Sequence, residues 1–175
     1  MPLNVNYKHP LINYVRCIIQ HYDHQKYWKY RAFVTNPAVG GGGKKLGLIF
    51  KYLKLMYIKR CDAYNNASFG TDLNAGAQFK TPPRLPHGPN GIIVSPYAKV
   101  GANAYIYHQV SIADDGKDYH NAPIIGDNVI IGAGAKIIGK VTIGDNAKIG
   151  AGAIVIDDVP AGATAVSPKA RIIIK

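Results

Sequence analysis

The sequence predicts a mainly β fold, namely a parallel β-helix of six-residue repeats with a small helical region before it. Large apolar residues recur every six positions, small apolar residues follow four positions later, and Gly, Asn or Asp stand between repeats. An α-helix, with about 3.6 residues per turn, cannot keep a period of six on one face. A strand that turns a corner every six residues can, and three such faces form coils of about eighteen residues. The Gly, Asn and Asp residues are expected to supply the positive φ of the corners.

Charge distinguishes the two predicted regions. The helical region is predicted at residues 1–66, and the β-helix with a C-terminal tail at residues 67–175. Residues 1–60 hold 11 Lys or Arg against one Asp, a net +10, whereas residues 61–175 hold 10 against 9 Asp, a net +1. A basic region of this kind favours an anionic partner such as phosphate, nucleic acid or a membrane surface.

Three helices are predicted in the basic region. Pro10 opens the first helix, whose apolar residues form one stripe. The second helix runs from His24 to about Phe33. The glycine run at residues 40–43 is expected to form a flexible link before the third helix, predicted at residues 44–60.

The third helix combines six basic residues with a dense apolar set. This composition is typical of contact with an anionic membrane, although packing against other helices would use the same residues. Residues 46–58 are interrupted by Lys51 and Lys54 and are fewer than the ~20 that span a bilayer. Residues 1–10 lack a secretory signal. We therefore expect a cytoplasmic protein, with any membrane contact at the inner face and no nucleic-acid partner.

The repeats are interrupted twice. Val94 comes nine positions after Leu85, and Ile125 comes thirteen positions after Ile112. Each break predicts a loop that leaves a coil, and such loops commonly carry function. The predicted inward positions are Leu73, Phe79, Leu85, Val94, Val100, Ile106, Ile112, Ile125, Ile131, Ile137, Ile143, Ile149 and Val155.

Two histidines are predicted to share one outer column. His87 in the first loop and His108 are 21 residues apart, which equals one coil of about eighteen plus three inserted residues. Their backbones should therefore lie ~4.8 Å apart on neighbouring coils. His120 lies in the second loop. This grouping indicates a site, although scattered surface histidines would also explain it.

A metal centre is not expected. The γ-class carbonic anhydrases are also β-helices of six-residue repeats, but their three zinc-binding histidines include a closely spaced pair. Here His108 and His120 are twelve residues apart. Cys17 and Cys61 are too few for a disulfide framework and show no metal-type spacing.

Several segments resemble the serine acetyltransferases. They are residues 71–77, 85–88, 91–94, the loop end at 118–120, and Ile-Gly-Ala-Gly-Ala-Lys with its continuation at 131–139. The chain looks closer still to the hexapeptide O-acetyltransferases of capsular and surface polysaccharide synthesis. This resemblance implies a left-handed β-helix, a homotrimer and acetyl-CoA as co-substrate.

The resemblance also implies site residues. The family's base matches His87, and the aspartate that orients it matches Asp72, fifteen residues earlier. Neutral imidazole suits removal of a hydroxyl proton near neutral pH. Because neither cysteine lies in the repeats, direct acetyl transfer is expected. The resemblance places the acceptor beside His120, and acetyl-CoA in a groove between subunits, near Ala133, Gly134 and Ala151, with its phosphates near Lys169 and Arg171.

The expected acceptor is a carbohydrate hydroxyl. Where serine acetyltransferases have an acidic and a basic residue before their two loop histidines, this chain has Pro86 and Tyr119. These residues and His108 could pack against and hydrogen-bond a sugar. One alternative is a serine O-acetyltransferase of cysteine biosynthesis. Another is a non-catalytic β-helix that acts as a binding module.

Overall fold

The computed structural model describes residues 10–38, 45–169 and 171–173. Asp23 caps the second helix by accepting a hydrogen bond from the Lys26 N–H at 3.0 Å. The helices are α1 (Pro10–Ile19), α2 (His24–Thr35) and α3 (Lys45–Tyr64).

All three predicted helices are present. The second ends at Thr35 rather than Phe33, and the third continues to Tyr64, four residues beyond its predicted end. The glycine link at residues 40–43 and the predicted helix start at Lys44 lie outside the described residues.

Strands of two or three residues follow the helices. They are β1 (Thr71–Asp72), β2 (Ala75–Gly76), β3 (Gln78–Phe79), β4 (Ile93–Val94), β5 (Lys99–Val100), β6 (Tyr105–Ile106), β7 (Ser111–Ala113), β8 (Ile124–Ile125), β9 (Ile130–Ile131), β10 (Lys136–Ile138), β11 (Thr142–Ile143), β12 (Lys148–Ile149), β13 (Ile154–Val155) and β14 (Thr164–Ala165).

Parallel pairing joins these strands into three sheets, one for each face of the coil. Sheet I contains β4, β7, β10 and β13, sheet II contains β3, β5, β8 and β11, and sheet III contains β6, β9, β12 and β14. Ile137 pairs with Ile112 on one side and Val155 on the other, so the six-residue phase continues from coil to coil. The predicted parallel β-helix is confirmed. β1 and β2 form a separate antiparallel hairpin.

The predicted inward positions form the core. From Val94 to Ile149 each large residue of the repeat is at most 3% exposed. Burying one such side chain contributes about 1.5–3 kcal/mol. The small residues four positions later are equally buried, namely Ala98, Ala104, Val110, Val129, Ala135, Val141, Ala147 and Ala153.

Leu73 is an exception to the predicted pattern. It lies in the turn between β1 and β2 and is only partly buried. Phe69 takes the inward position instead, stacked beneath Val94 and fully buried. Because the hairpin inserts residues into this coil, the six-residue spacing from Leu73 to Phe79 does not reflect the repeat.

The glycines that directly follow the large residues do not have positive φ. They allow neighbouring coils to pack closely. At the corners, Asn103, Asn128 and Asn146 have positive φ, as predicted for Asn. Gly144 does not, but a Cβ there would lie 2.7 Å from the Ala161 Cα in the next coil. Gly at this position therefore lets consecutive coils approach each other.

Helix α2 covers the open end of the apolar core. Trp28 packs edge-on against Phe69 and Phe79, with ring centroids 5.4 and 4.9 Å apart. Arg31 donates hydrogen bonds to the carbonyls of Phe69 and Ala77. The helical region thus serves as the cap that a stack of repeats requires at its end.

Apolar residues are exposed on the outer faces of α1 and α3. They include Leu11 on α1, and Leu53 and Met56 on α3. No helix in the described part of the chain is both long and apolar enough to cross a membrane. Lys51, counted among the basic residues of a membrane-facing helix, points inward and is 2% exposed. Membrane contact through residues 44–60 stays a prediction.

Asp62 of α3 is buried against α2. The Tyr27 hydroxyl donates to Asp62 Oδ1 at 2.7 Å, while Oδ2 has no partner among the described residues. Burial raises the pKa of Asp62 to about 6, although the Tyr27 hydrogen bond, Lys59 and Arg31 act in the opposite direction. The folded chain therefore holds this proton more tightly than the unfolded chain does.

Ile137→Ala should lower the free energy of unfolding by about 2–5 kcal/mol, because it opens a cavity in the core. Ile154→Ala is the matched control, since Ile154 lies on the adjacent strand and is 71% exposed whereas Ile137 is 0% exposed. Its effect should stay within about 0.5 kcal/mol. Urea denaturation measures both, and equal losses would contradict the inward assignment of Ile137.

Asp62→Asn should stabilise the protein at neutral pH by about 1–3 kcal/mol, because the buried carboxylate is replaced by a neutral amide. Between pH 3.8 and about 6, wild-type Asp62 holds a proton that the unfolded chain releases. Its contribution to stability therefore falls as pH rises through this window, and the variant should lack that fall. Urea denaturation across the window tests this, and parallel profiles of the two proteins would contradict the raised pKa.

Candidate active site

The predicted site residues lie at two corners of the β-helix. The histidine corner is the turn from sheet III to sheet I, formed by residues 86–91, 107–110, 132–135 and 150–153 in successive coils. The loop corner is the turn from sheet I to sheet II, where the hairpin of β1 and β2 and the second loop at residues 114–123 lie.

His87 and His108 lie together at the histidine corner, on neighbouring coils as predicted. Their Nδ1 atoms are 2.7 Å apart, and their ring centroids are 4.8 Å apart. One Nδ1 must therefore carry a hydrogen that the other accepts. Tyr107 lies edge-on to His87, with centroids 5.6 Å apart. Pro86 directly precedes His87 and is half-buried, while His87 is exposed and accessible to a substrate.

The backbone expected to contact acetyl-CoA continues the same corner. The Gly134 N–H donates to the His108 carbonyl at 3.0 Å, and the Gly152 N–H donates to the Ala133 carbonyl at 2.8 Å. A Cβ on Gly134 or Gly152 would meet nothing within 4 Å. The corner is therefore an open strip of small residues that leads away from the histidines.

The C-terminal segment passes the same corner. The Ser167 hydroxyl donates to the Ala151 carbonyl at 3.3 Å. Lys169 and Arg171 follow and are exposed. Their positions are compatible with the predicted contact to the phosphates of CoA, which stays a prediction.

Tyr119 and His120 lie at the loop corner. Both rings contact Tyr97, with centroids 4.7 and 4.8 Å away. Asp115 stabilises the loop by accepting a hydrogen bond from the Asp118 N–H at 3.0 Å. This and further hydrogen bonds within the loop lower the pKa of Asp115.

Asp72 does not orient His87 within this chain. Asp72 lies in β1 at the loop corner, whereas His87 lies at the histidine corner at the opposite end of a sheet I strand. The Asp72 carboxylate accepts a hydrogen bond from the Leu73 N–H at 2.7 Å. Asp72 and His87 therefore do not share a corner of one β-helix, because the hairpin carries Asp72 out of the coil, and the orienting role expected for Asp72 stays a prediction. Within this chain, His108 is the residue that is hydrogen-bonded to the His87 ring.

Two aromatic contacts near the site are not predicted by the sequence pattern used above for the histidines. Tyr107 directly precedes His108, so its place on the wall could have been deduced from the repeat. Tyr97 lies 22 residues before Tyr119. It meets Tyr119 only because the second loop folds back against the coil, and no spacing rule predicts that contact.

Comparison with known proteins supports the repeat assignment. Residues 122–157 match the family model of the bacterial transferase hexapeptide, which has six repeats. This match covers β8 to β13 of the hexapeptide-repeat region. Among the described residues, no group of three or more His, Cys, Asp or Glu side chains is arranged to hold a metal ion.

The sequence relatives of this hexapeptide domain are named serine acetyltransferases. The Helicobacter pylori enzyme (strain 26695) is 37% identical over 107 residues, which cover 61% of this chain and 62% of the relative. The chloroplastic serine acetyltransferase 1 of Arabidopsis thaliana is 45% identical over 109 residues, or 61% of this chain and 34% of the relative. The match therefore extends over less than two thirds of either relative.

Solved structures agree with the sequence relatives. The soybean serine acetyltransferase apoenzyme superposes with a TM-score of 0.63 at 27% identity, covering 95% of this chain and 63% of that one. The Neisseria gonorrhoeae enzyme in complex with serine gives a TM-score of 0.55 at 35% identity, covering 69% and 48%. The predicted left-handed β-helix is confirmed by this likeness.

These comparisons correct the expected acceptor. The relatives and the solved structures are serine acetyltransferases, so the prediction of a polysaccharide O-acetyltransferase with a sugar acceptor is wrong. The prediction relied on the uncharged residues Pro86 and Tyr119. Neighbours in sequence are a poor guide to the charges around a site, because other strands of a β-helix also face the same corner.

Proposed function

We propose that the chain is an acyltransferase that transfers the acetyl group of acetyl-CoA to the hydroxyl of serine. The observation that carries the proposal is the contact of 2.7 Å between the Nδ1 atoms of His87 and His108 beside an open strip of small residues. The names of the relatives support serine as the acceptor.

The histidine pair can supply a base. If His87 donates its Nδ1–H to His108, the Nε2 lone pair of His87 is free to remove a proton, while the Nε2 of His108 carries a hydrogen and can donate. As the serine oxygen attacks the thioester carbon, His87 takes the hydroxyl proton and returns it to the departing thiolate. His108 thus selects the tautomer of His87, as a carboxylate does in other catalytic dyads.

One added proton would remove this base. If one ring of the pair is cationic, that histidine has hydrogens on both of its nitrogens. Its neutral partner accepts a hydrogen bond at Nδ1 and therefore carries its own hydrogen on Nε2. No Nε2 lone pair is then left. The neutral pair is therefore the form that supplies the base.

Two cations adjoin the histidine corner and could receive the serine carboxylate. Lys136 Nζ lies 3.1 Å from Ser111 Oγ and 3.3 Å from the Gln109 carbonyl, on the sheet I side. Arg84, on the strand that leads to His87, donates to the Tyr105 hydroxyl at 2.6 Å. An amino-acid acceptor would thus meet positive charge even though Pro86 and Tyr119 carry none.

A homotrimer would complete the proposed site. His87 and His120 lie at different corners of one β-helix. Only a neighbouring subunit could place its second loop, with Tyr119 and His120, opposite the histidine pair. We therefore place acetyl-CoA and serine in a groove between subunits.

Serine should stimulate thiol release from acetyl-CoA, with formation of O-acetylserine. The assay compares serine with glucose and N-acetylglucosamine, and a thiol reagent measures the released CoA. Saturation with serine alone is the expected outcome. No thiol release with any acceptor would contradict the proposal and favour a binding module instead.

His87→Ala should lower kcat by at least about 10²-fold, because the base is lost. Binding of CoA, measured by calorimetry, should remain, since the open strip lies on other coils. Retained turnover would show that His87 is not the base.

His108→Asn should retain more activity than His108→Leu, because the Asn side-chain oxygen can still accept the Nδ1–H of His87. We expect about a tenfold difference in kcat between the two variants, with similar melting temperatures. Equal kcat values for the two variants would argue that His108 has no orienting role.

A further inference from the structure

A cavity of about 580 Å³ lies at the capped end of the β-helix, away from the histidine corner. Its volume is in the range of small-molecule sites. Helix α2, the hairpin of β1 and β2, and β3 with the residues that follow it form its walls. Its lining includes Trp28, Arg31, Asn74, Gln78, Phe79 and Lys80.

Arg31 lines this cavity although it is only 4% exposed. Its Nε donates to Thr71 Oγ1 at 3.0 Å, and its Nη2 donates to the carbonyls of Phe69 and Ala77. Its Nη1 makes no hydrogen bond within the described residues. Among the described residues, only Asp62 Oδ2 is a side-chain polar atom that has no hydrogen-bond partner and no contact with solvent. Arg31 Nη1 also has no hydrogen-bond partner, so it must be in contact with solvent. Because Arg31 lines the cavity, a ligand in the cavity can reach Nη1.

Arg31 forms no ion pair in the described part of the chain, although the buried carboxylate of Asp62 acts on its charge from beyond ion-pair distance. The ion pair found in the described part of the chain joins Lys80 to Asp127 at 2.7 Å, and no acidic residue lines the cavity. Burial lowers the pKa of Arg31 to about 10, so the guanidinium remains charged at neutral pH. A buried charge is costly unless an opposite charge is close.

A second buried cation lies behind the same wall. Lys51 is 2% exposed, and its Nζ donates to the Asn36 carbonyl at 2.7 Å and to Asn74 Oδ1. Asn74 lines the cavity. Both partners of Lys51 are neutral, as are those of Arg31. Arg31 on the cavity wall and Lys51 behind it thus both lack an ion-pair partner among the described residues, so their charges favour an anion in the cavity.

The cavity also has an apolar wall. Trp28 and Phe79 both line it, with ring centroids 4.9 Å apart, and the Arg31 guanidinium lies 4.7 Å from the centroid of Phe79. Asn74 and Gln78 add neutral polar groups. A ligand with one anionic group and a small apolar body would match these walls.

We propose that this cavity binds a small organic anion, whose carboxylate or phosphate pairs with Arg31 and whose body packs against Trp28 and Phe79. This site is separate from the histidine corner and does not depend on the proposed acetyl transfer. Lys80 can turn from Asp127 toward the anion, because its side chain is 65% exposed.

Trp28 is the single tryptophan of the chain and lines the cavity, so its fluorescence reports on ligands directly. The titration uses benzoate, phenyl phosphate and the neutral analogue benzamide at constant ionic strength, with the full-length protein. We expect a saturable change with at least one anion and none with benzamide. The anion that binds distinguishes a carboxylate site from a phosphate site.

Gln78→Glu is the main variant, because it adds negative charge to the cavity wall at an exposed position without removing the Arg31 hydrogen bonds. It should weaken anion binding by about tenfold or more. Gln25→Glu carries the same charge change on an exposed residue of α2 that does not line the cavity, and should bind as wild type does. Arg31→Met should abolish binding, with circular dichroism used to verify its fold.

Several results would overturn the proposal. They are no saturable response to either anion, an equal response to benzamide, or equal binding by the Gln78→Glu and Gln25→Glu variants. His87→Ala should bind the anion as wild type does. Failure of this site is therefore distinguishable from failure of the proposed acetyl transfer.

Discussion

The structure depends on one packing constraint: the inward residues of each coil must stack on those of the coil beneath. Ile137 lies between Ile112 and Val155, and all belong to a core that is almost fully buried. Because the stack is held from inside, residues inserted at a corner leave the register of the next coil unchanged. The chain can therefore add two loops and a hairpin without loss of the β-helix.

The histidine pair is a product of this stacking. His87 and His108 are 21 residues apart in sequence, yet their Nδ1 atoms are 2.7 Å apart. Parallel coils place equivalent positions directly above each other, and backbone hydrogen bonds from Ile106 to Arg84 and from Gln109 to Asn90 hold these two coils together, so the two rings meet. The same stacking continues the corner into Gly134 and Gly152, where no side chain blocks access.

The helical region combines two tasks at the end of the stack. Trp28 of α2 covers Phe69 and Phe79, while Arg31 binds carbonyls of the first coil. This arrangement closes the core, but it also buries positive charge beside a cavity. The net +10 of residues 1–60 is therefore partly internal, and it is not only a property of the outer surface.

Periodicity in the sequence was sufficient for the β-helix, its inward positions from Val94 onward and the pairing of His87 with His108, because stacking turns a regular spacing into a spatial neighbour. The tertiary structure alone decided the positions of Leu73 and Asp72, since the hairpin inserts residues that no period reveals. It also decided that Lys51 and Arg31 are buried, because side-chain direction depends on contacts between distant segments and a charged residue reads as exposed in sequence. Local repetition thus determined the architecture, whereas long-range packing determined which charges and loops face one another.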